Sequence, residues 1–160
     1  MAEQGETYAK FVEAELKAEM ERRASLDARG LAIVTSSSAL ITLMFSLSVL
    51  LTGKDHEVLG DGKGWVVASL ICFIVAGLLG ILANRAREYE VTHESTLYEM
   101  LGAHWTDDEV DARNVCATRH VATIESLRRG NESKAEQITL ALVFQVAAIA
   151  LLVVALMGEL

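Results

Sequence analysis

Uncharged apolar stretches alternate with highly charged segments along this chain. Residues 31–52, 65–83 and 138–158 contain no Asp, Glu, Lys or Arg. Each stretch is close to the roughly 20 residues that a helix needs to cross the hydrocarbon core of a bilayer. The pattern predicts an all-α integral membrane protein with three transmembrane helices.

The composition favours the same class. The chain has 160 residues, of which 52% are hydrophobic and 22% are charged. A chain of this length is too short to bury three uncharged helices inside a soluble domain. It contains no proline, which predicts straight helices both inside and outside the membrane.

The charged segments predict helices that extend the transmembrane helices and form a cytoplasmic bundle. We assign residues 1–30 to a cytoplasmic amphipathic helix, 31–84 to a transmembrane hairpin, 85–136 to a cytoplasmic helical insert and 137–160 to the third transmembrane helix. The first segment has an apolar face suited to packing against another helix, made of Tyr8, Phe11, Val12, Leu16 and Met20.

Local signals subdivide the insert. The second transmembrane helix is expected to continue to about Met100, and Gly102 is a helix stop. The sequence "TDDE" at residues 106–109 has the form of a capping box and predicts the start of the next helix. Gly130 and Asn131 weaken that helix but need not break it before the third apolar stretch.

Basic residues orient the chain. They are concentrated before residue 30 and within 85–136, whereas the loop between the first two apolar stretches has two lysines among acidic residues. The positive-inside rule therefore places the N-terminus and the insert in the cytoplasm and the short loop and C-terminus outside.

Hydroxyl side chains follow one side of the first apolar stretch. Thr35, Ser38, Thr42 and Ser46 fall within about 80° of one another at 100° per residue. Together with Gln145 they form either a helix–helix interface, within one chain or between subunits, or a water-accessible path in an oligomer. Three helices have too little inward surface to enclose a pore alone. No charged residue lies within the apolar stretches, which argues against a proton relay.

Small residues follow one side of each of the other two apolar stretches. These lines suit close helix packing in lipid, and their members are Ser69, Cys72, Ala76, Gly80 and Ala83 in the second, and Gln137, Ala141, Gln145, Ala148 and Ala155 in the third.

Polar side chains collect where the apolar stretches meet the cytoplasmic segments. Lysine and arginine at this depth form one of two arrangements. Their charged ends reach out to the membrane interface around the helices, or they bind an anion such as phosphate. The candidate anion site consists of Arg22, Arg23, Asp27, Arg29, Arg85, Arg87 and Lys134.

Catalytic and metal-binding motifs are not recognisable in the sequence. Cys116 and His120 are four residues apart but lack a second close pair of ligands. We therefore predict neither an enzyme nor a metal or cofactor site. The formal net charge of −8 argues against a nucleic-acid partner.

Two stretches resemble small bacterial membrane effectors of anti-phage defence, of the Pycsar type and more loosely the SLATT type. "SLDARGLAIVTSS" at 25–37 carries the pair Asp27 and Arg29, and "NESKAEQITLALVFQ" at 131–145 carries Lys134. The resemblance implies a homo-oligomer of the inner membrane that a cytoplasmic cyclic nucleotide triggers to permeabilise the bilayer.

Two other functions fit the same layout. A constitutive scaffold would be anchored by its transmembrane helices and would bind a partner through the exposed portion of the Tyr8–Leu16 face. A holin-like channel would permeabilise the membrane without a ligand. Conditional toxicity distinguishes the three functions.

Overall fold

The computed structural model describes residues 2–52, 63–86 and 89–157, with side chains from residue 4 to 46 in the first range. This part of the chain forms helices α1 (Ala2–Thr52), α2 (Lys63–Ala83), α3 (Glu94–Leu101) and α4 (Glu109–Met157) and contains no strand. Three of them, α1, α2 and α4, are long and apolar enough to cross a membrane by length and composition. The expected uninterrupted helices through residue 30 and through Gly130 and Asn131 are confirmed.

The chain divides into two compact units. The first unit comprises Met1–Ser25 and Ala86–Ser133, and the second comprises Leu26–Arg85 and Lys134–Leu160. Helices α1 and α4 contribute residues to both units, α2 belongs to the second and α3 to the first.

In the first unit, α1 and α4 run parallel and meet along positions spaced alternately three and four residues apart. The covered positions on α1 include Val12, Leu16 and Glu19, and those on α4 include Ile124 and Leu127. This spacing is that of a coiled-coil seam. The apolar face expected on α1 is only partly covered, because Tyr8, Phe11 and Met20 are exposed.

In the second unit, α1, α2 and α4 bury a core of apolar and very small side chains. Phe73 is fully buried with Met44 and Ala148, and Ile33 packs with Ala83 and Ala141. The lines of small residues expected on α2 and α4 lie in these helix contacts, since Ser69, Ala76, Gly80, Ala83, Ala141, Ala148 and Ala155 are all buried.

The end of α2 differs from the prediction. The helix ends at Ala83 instead of continuing to Met100. The backbone N–H of Arg85 donates to the Leu82 carbonyl at 3.2 Å and closes the last turn. Residues 84–86 and 89–93 are non-helical, and the N–H of Glu90 donates to Ser126 Oγ at 2.9 Å. Tertiary contacts of this segment override its helical propensity.

The boundaries of α3 and α4 show one prediction right and one wrong. Gly102 ends α3, and its N–H donates to the carbonyls of Tyr98 and Glu99. The sequence predicts that a capping box at Thr106 starts α4, but Asp108 caps the helix instead. Its Oδ1 accepts from the N–H groups of Val110 and Asp111 at 2.8 and 3.0 Å. A carboxylate two residues closer to the helix satisfies these otherwise unpaired donors.

Candidate functional site

The four hydroxyl residues predicted on α1 lie on an exposed side of the second unit. Each hydroxyl donates to the carbonyl one turn earlier on its own helix: Thr35 to Leu31 at 3.0 Å, Ser38 to Val34, Thr42 to Ser38 and Ser46 to Thr42 at 2.9 Å each. All four residues are exposed. They therefore take no part in the helix packing that the structure describes, and an interface between copies or a water path stays a prediction.

Two other serines, Ser36 and Ser69, make polar contacts between helices. Gln145, which was grouped with the hydroxyl residues, donates from Nε2 to Ser36 Oγ at 2.7 Å. Ser69 Oγ donates to the Ala148 carbonyl at 2.7 Å and is fully buried. Ser37 is also buried. The packed side of α1 thus bears Ser36 and Ser37, adjacent to the exposed hydroxyl residues.

Helices α1 and α2 cross at very short range around two glycines. A Cβ atom on Gly80 would lie 2.9 Å from Val34 Cγ2 and 3.1 Å from the Gly30 carbonyl oxygen. A Cβ on Gly30 would lie 3.0 to 3.2 Å from the amide atoms of Asn84. A side chain at Gly80 would force the helices to shift, and one at Gly30 would displace the Asn84 amide. Such small-residue crossings are typical of membrane helices.

The Asn84 side chain binds the backbone of α1 at this crossing. With its amide oriented to satisfy both neighbours, Nδ2 donates to the Asp27 carbonyl and Oδ1 accepts from the Leu31 N–H, each at 3.0 Å. The Leu31 N–H and the Asp27 carbonyl are also the donor and acceptor of one i→i−4 hydrogen bond of α1. Asn84 therefore fixes α2 to a single position along α1.

Lys134 and Asp27 form an ion pair between α4 and α1 in the second unit. The Lys134 side chain is only 3% exposed, whereas that of Asp27 is 39% exposed. By contrast, the pair of Glu6 and Lys10 on α1 lies in solvent. There the hydrogen bond from Lys10 lowers the pKa of the Glu6 carboxyl, and such exposed pairs contribute little to stability.

The remaining members of the candidate anion site are divided between the units. Arg29 and Arg85 are exposed in the second unit. In the first unit, Arg22 Nη1 lies 3.7 Å from Glu19, and the Arg23 guanidinium lies 4.1 Å from the ring centre of Tyr89. Arg87 lies outside the described residues. Arg22, Arg29 and Arg85 are the exposed arginines among the candidates that the structure describes, and Arg29 and Arg85 belong to the second unit.

A polar network in the first unit was missed by the sequence reasoning. Arg128 binds two carboxylates, Glu15 at 2.6 Å through Nη2 and Glu19 at 3.2 Å through Nε. Asn131 is fully buried, and its Nδ2 donates to the Glu19 carbonyl at 3.0 Å and to Oε2 at 2.9 Å. The signal for it was the placement of Glu19 and Asn131 at seam positions of two parallel helices, since a polar group there fixes register.

Comparison with known protein families, curated protein sequences and solved structures finds no match to this chain. The exposed hydroxyl residues of α1 and the exposed arginines of the second unit therefore carry the functional inference.

Proposed function

We propose that this chain is a homo-oligomeric effector of the bacterial inner membrane that permeabilises the bilayer in anti-phage defence. The first unit and the N-terminus lie in the cytoplasm, as the distribution of lysine and arginine indicates. A cytoplasmic cyclic nucleotide is the trigger, and lipid and further copies of the chain are the other partners. The protein uses no catalytic residue, metal or cofactor.

The exposed hydroxyl residues of α1 are the observation that carries this proposal. Lipid tails cannot hydrogen-bond to the hydroxyls of Thr35, Ser38, Thr42 and Ser46, whereas water can bond to each of them. Repetition of this face around an oligomer axis produces a continuous polar lining, which one three-helix unit cannot provide.

The trigger is assigned to the cationic groups at the cytoplasmic end of the second unit. Arg29 and Arg85 are exposed and carry guanidinium groups, which bind phosphate through paired hydrogen bonds. Asp27 lies two residues before Arg29 on α1, and it pairs with the buried Lys134 of α4. An anion that binds the arginines therefore acts next to a charged contact between α1 and α4.

Leakage of a dye from liposomes tests the function. The purified full-length protein is reconstituted into phosphatidylethanolamine–phosphatidylglycerol vesicles with and without a panel of cyclic mono- and dinucleotides. We expect release with one nucleotide only, because the trigger must shift an equilibrium between two packings. Release without any nucleotide would favour a holin-like channel, and no release under any condition would refute permeabilisation.

The double substitution Thr42→Leu/Ser46→Leu is expected to abolish dye release while the subunit number is kept. It replaces two hydroxyls of the proposed lining by side chains that water does not wet. Thr139→Leu is the matched control, because Thr139 is exposed on α4 and also donates to its own helix, to Ala135 at 2.8 Å. Full release from the double variant would refute the assignment of these residues to a water path.

A membrane scaffold is the second candidate. Tyr8 and Phe11 on α1 are 71% and 63% exposed, and exposed aromatic side chains are typical of protein-binding surfaces. A scaffold would leave vesicles intact with every nucleotide, so the same leakage assay separates the two functions.

A further inference from the structure

Helix α3 and the turn after it expose nearly all of their apolar side chains. Leu97, Tyr98, Leu101 and Trp105 are 50%, 74%, 65% and 71% exposed, and α3 contains no buried residue. An apolar surface of this kind on a folded unit marks a binding site. We call these four residues the α3 surface.

A groove adjoins the α3 surface within the first unit. It encloses about 290 Å³ between the end of α3 and the start of α4 and is lined by Met100, Trp105, Val115 and Cys116 among others. Its volume lies at the lower limit of the ~300–1,000 Å³ of small-molecule pockets. It suits one or two apolar side chains of a bound polypeptide better than a complete small ligand.

Charge identifies the chemistry of the occupant. Residues 89–112 include no lysine or arginine and seven acidic residues: Glu90, Glu94, Glu99, Asp107, Asp108, Glu109 and Asp111. His104 lines the groove, and its Nδ1 is bonded to Asp107 at 2.9 Å. Arg113 follows the lining residue Ala112 and pairs with Glu109, which leaves the segment with a net negative charge. A partner must therefore bring positive charge together with apolar side chains.

We propose that the α3 surface and its groove bind a basic amphipathic helix of another protein. Such a helix places apolar side chains at i, i+3, i+4 and i+7 in an apolar groove, and its lysines and arginines face the surrounding acids. Methionine and aromatic side chains in the groove adapt to varied apolar anchors. This partner site lies in the first unit and does not include the hydroxyl residues of α1. It does not depend on whether the chain permeabilises membranes.

Two other occupants fit less well. The cytoplasmic membrane surface is anionic and repels a segment with seven acids and no lysine or arginine. A second copy carries a net charge of −8. Its exposed aromatic residues Tyr8 and Phe11 lie beside Lys10, which is already paired with Glu6 at 2.7 Å.

Fluorescence of Trp105 tests the proposal with designed peptides. The full chain carrying Trp65→Phe, so that Trp105 is its remaining tryptophan, is placed in nanodiscs of zwitterionic lipid. The probe is a leucine–lysine peptide of roughly 18 residues, five helical turns with one apolar face. A leucine–glutamate peptide of the same pattern and a lysine peptide with scrambled leucines are the controls. We expect the Trp105 emission to shift to the blue with the leucine–lysine peptide and not with either control peptide. Added salt should weaken binding of the leucine–lysine peptide.

Variants locate the binding. Leu97→Ser/Leu101→Ser alters only exposed side chains and should raise the Kd about tenfold or more. Glu94→Gln/Glu99→Gln keeps the apolar surface and should also raise the Kd, with a smaller salt dependence. The control Val121→Ser removes an exposed apolar group from α4, where Val121 is 44% exposed, and should leave the Kd unchanged.

Three results would overturn the proposal. Equal binding of the lysine and glutamate peptides would remove the charge argument. An unchanged Kd for both α3-surface variants would show that the peptide binds lipid or another surface. A drop in subunit number caused by Leu97→Ser/Leu101→Ser, without peptide binding to the wild type, would assign the surface to self-association.

Discussion

Replacing Gly80 with leucine is expected to lower the free energy of unfolding by about 3 kcal/mol. Already the first side-chain atom would stand 2.9 Å from Val34 Cγ2 and 3.1 Å from the Gly30 carbonyl oxygen. The carbonyl belongs to helix backbone and cannot rotate away, so α1 and α2 must separate. Separation would also break the two hydrogen bonds of Asn84 to α1.

Gly64 provides the matched control on the same helix. A Cβ at this position would meet no atom of the described residues within 4 Å. Leucine has a higher helix propensity than glycine, but Gly64 is the second residue of α2 and not in the helix interior. Gly64→Leu should therefore be neutral or slightly stabilising. Reversible unfolding in mixed micelles, followed by circular dichroism, measures both variants. Equal effects at the two positions would mean that α1 and α2 do not cross closely at Gly80.

Asp27→Asn is expected to cost about 3–5 kcal/mol of unfolding free energy, because it leaves the buried Lys134 ammonium without its counter-charge. Lys134→Met should cost less. The carboxylate that it leaves behind is 39% exposed, whereas the Lys134 side chain is 3% exposed, so water can solvate Asp27 but not Lys134. The order of the two losses follows from this difference in exposure.

The double variant Asp27→Asn/Lys134→Met completes a thermodynamic cycle. It should be more stable than Asp27→Asn alone, since methionine fills the space of the lysine stem without a buried charge. Glu6→Gln is the control, because its pair with Lys10 is exposed and its removal should have little effect. If the four free energies were additive, Asp27 and Lys134 would not be coupled.

The sequence predicted the apolar helices because their signal is local. Uncharged stretches of sufficient length appear directly in the residues, and the small residues on α2 and α4 revealed which sides pack. The end of α2 could not be predicted in this way. It depends on Asn84 reaching the Asp27 carbonyl and the Leu31 N–H, which lie more than fifty residues away along the chain.

The sequence predicts which residues belong to the candidate sites better than it predicts the contacts that they make. Helical periodicity grouped Thr35, Ser38, Thr42 and Ser46 correctly on one side, but it cannot tell whether that side faces a neighbouring helix. The structure leaves them exposed and gives the inter-helix contact of Gln145 to Ser36. In the same way, lysine near an interface suggested an accessible cation, whereas Lys134 is buried against Asp27.

The back-bonded hydroxyls of α1 have a consequence for how such a helix enters a bilayer. An unpaired hydroxyl in hydrocarbon is costly, but Thr42 and Ser46 already donate to carbonyls of their own helix at 2.9 Å. A newly made chain can therefore be inserted singly, before any partner copy is present, at little cost. In the proposed oligomer, rotation about χ1 would release the same hydroxyls to water, so insertion of a single chain and later assembly of copies would be compatible.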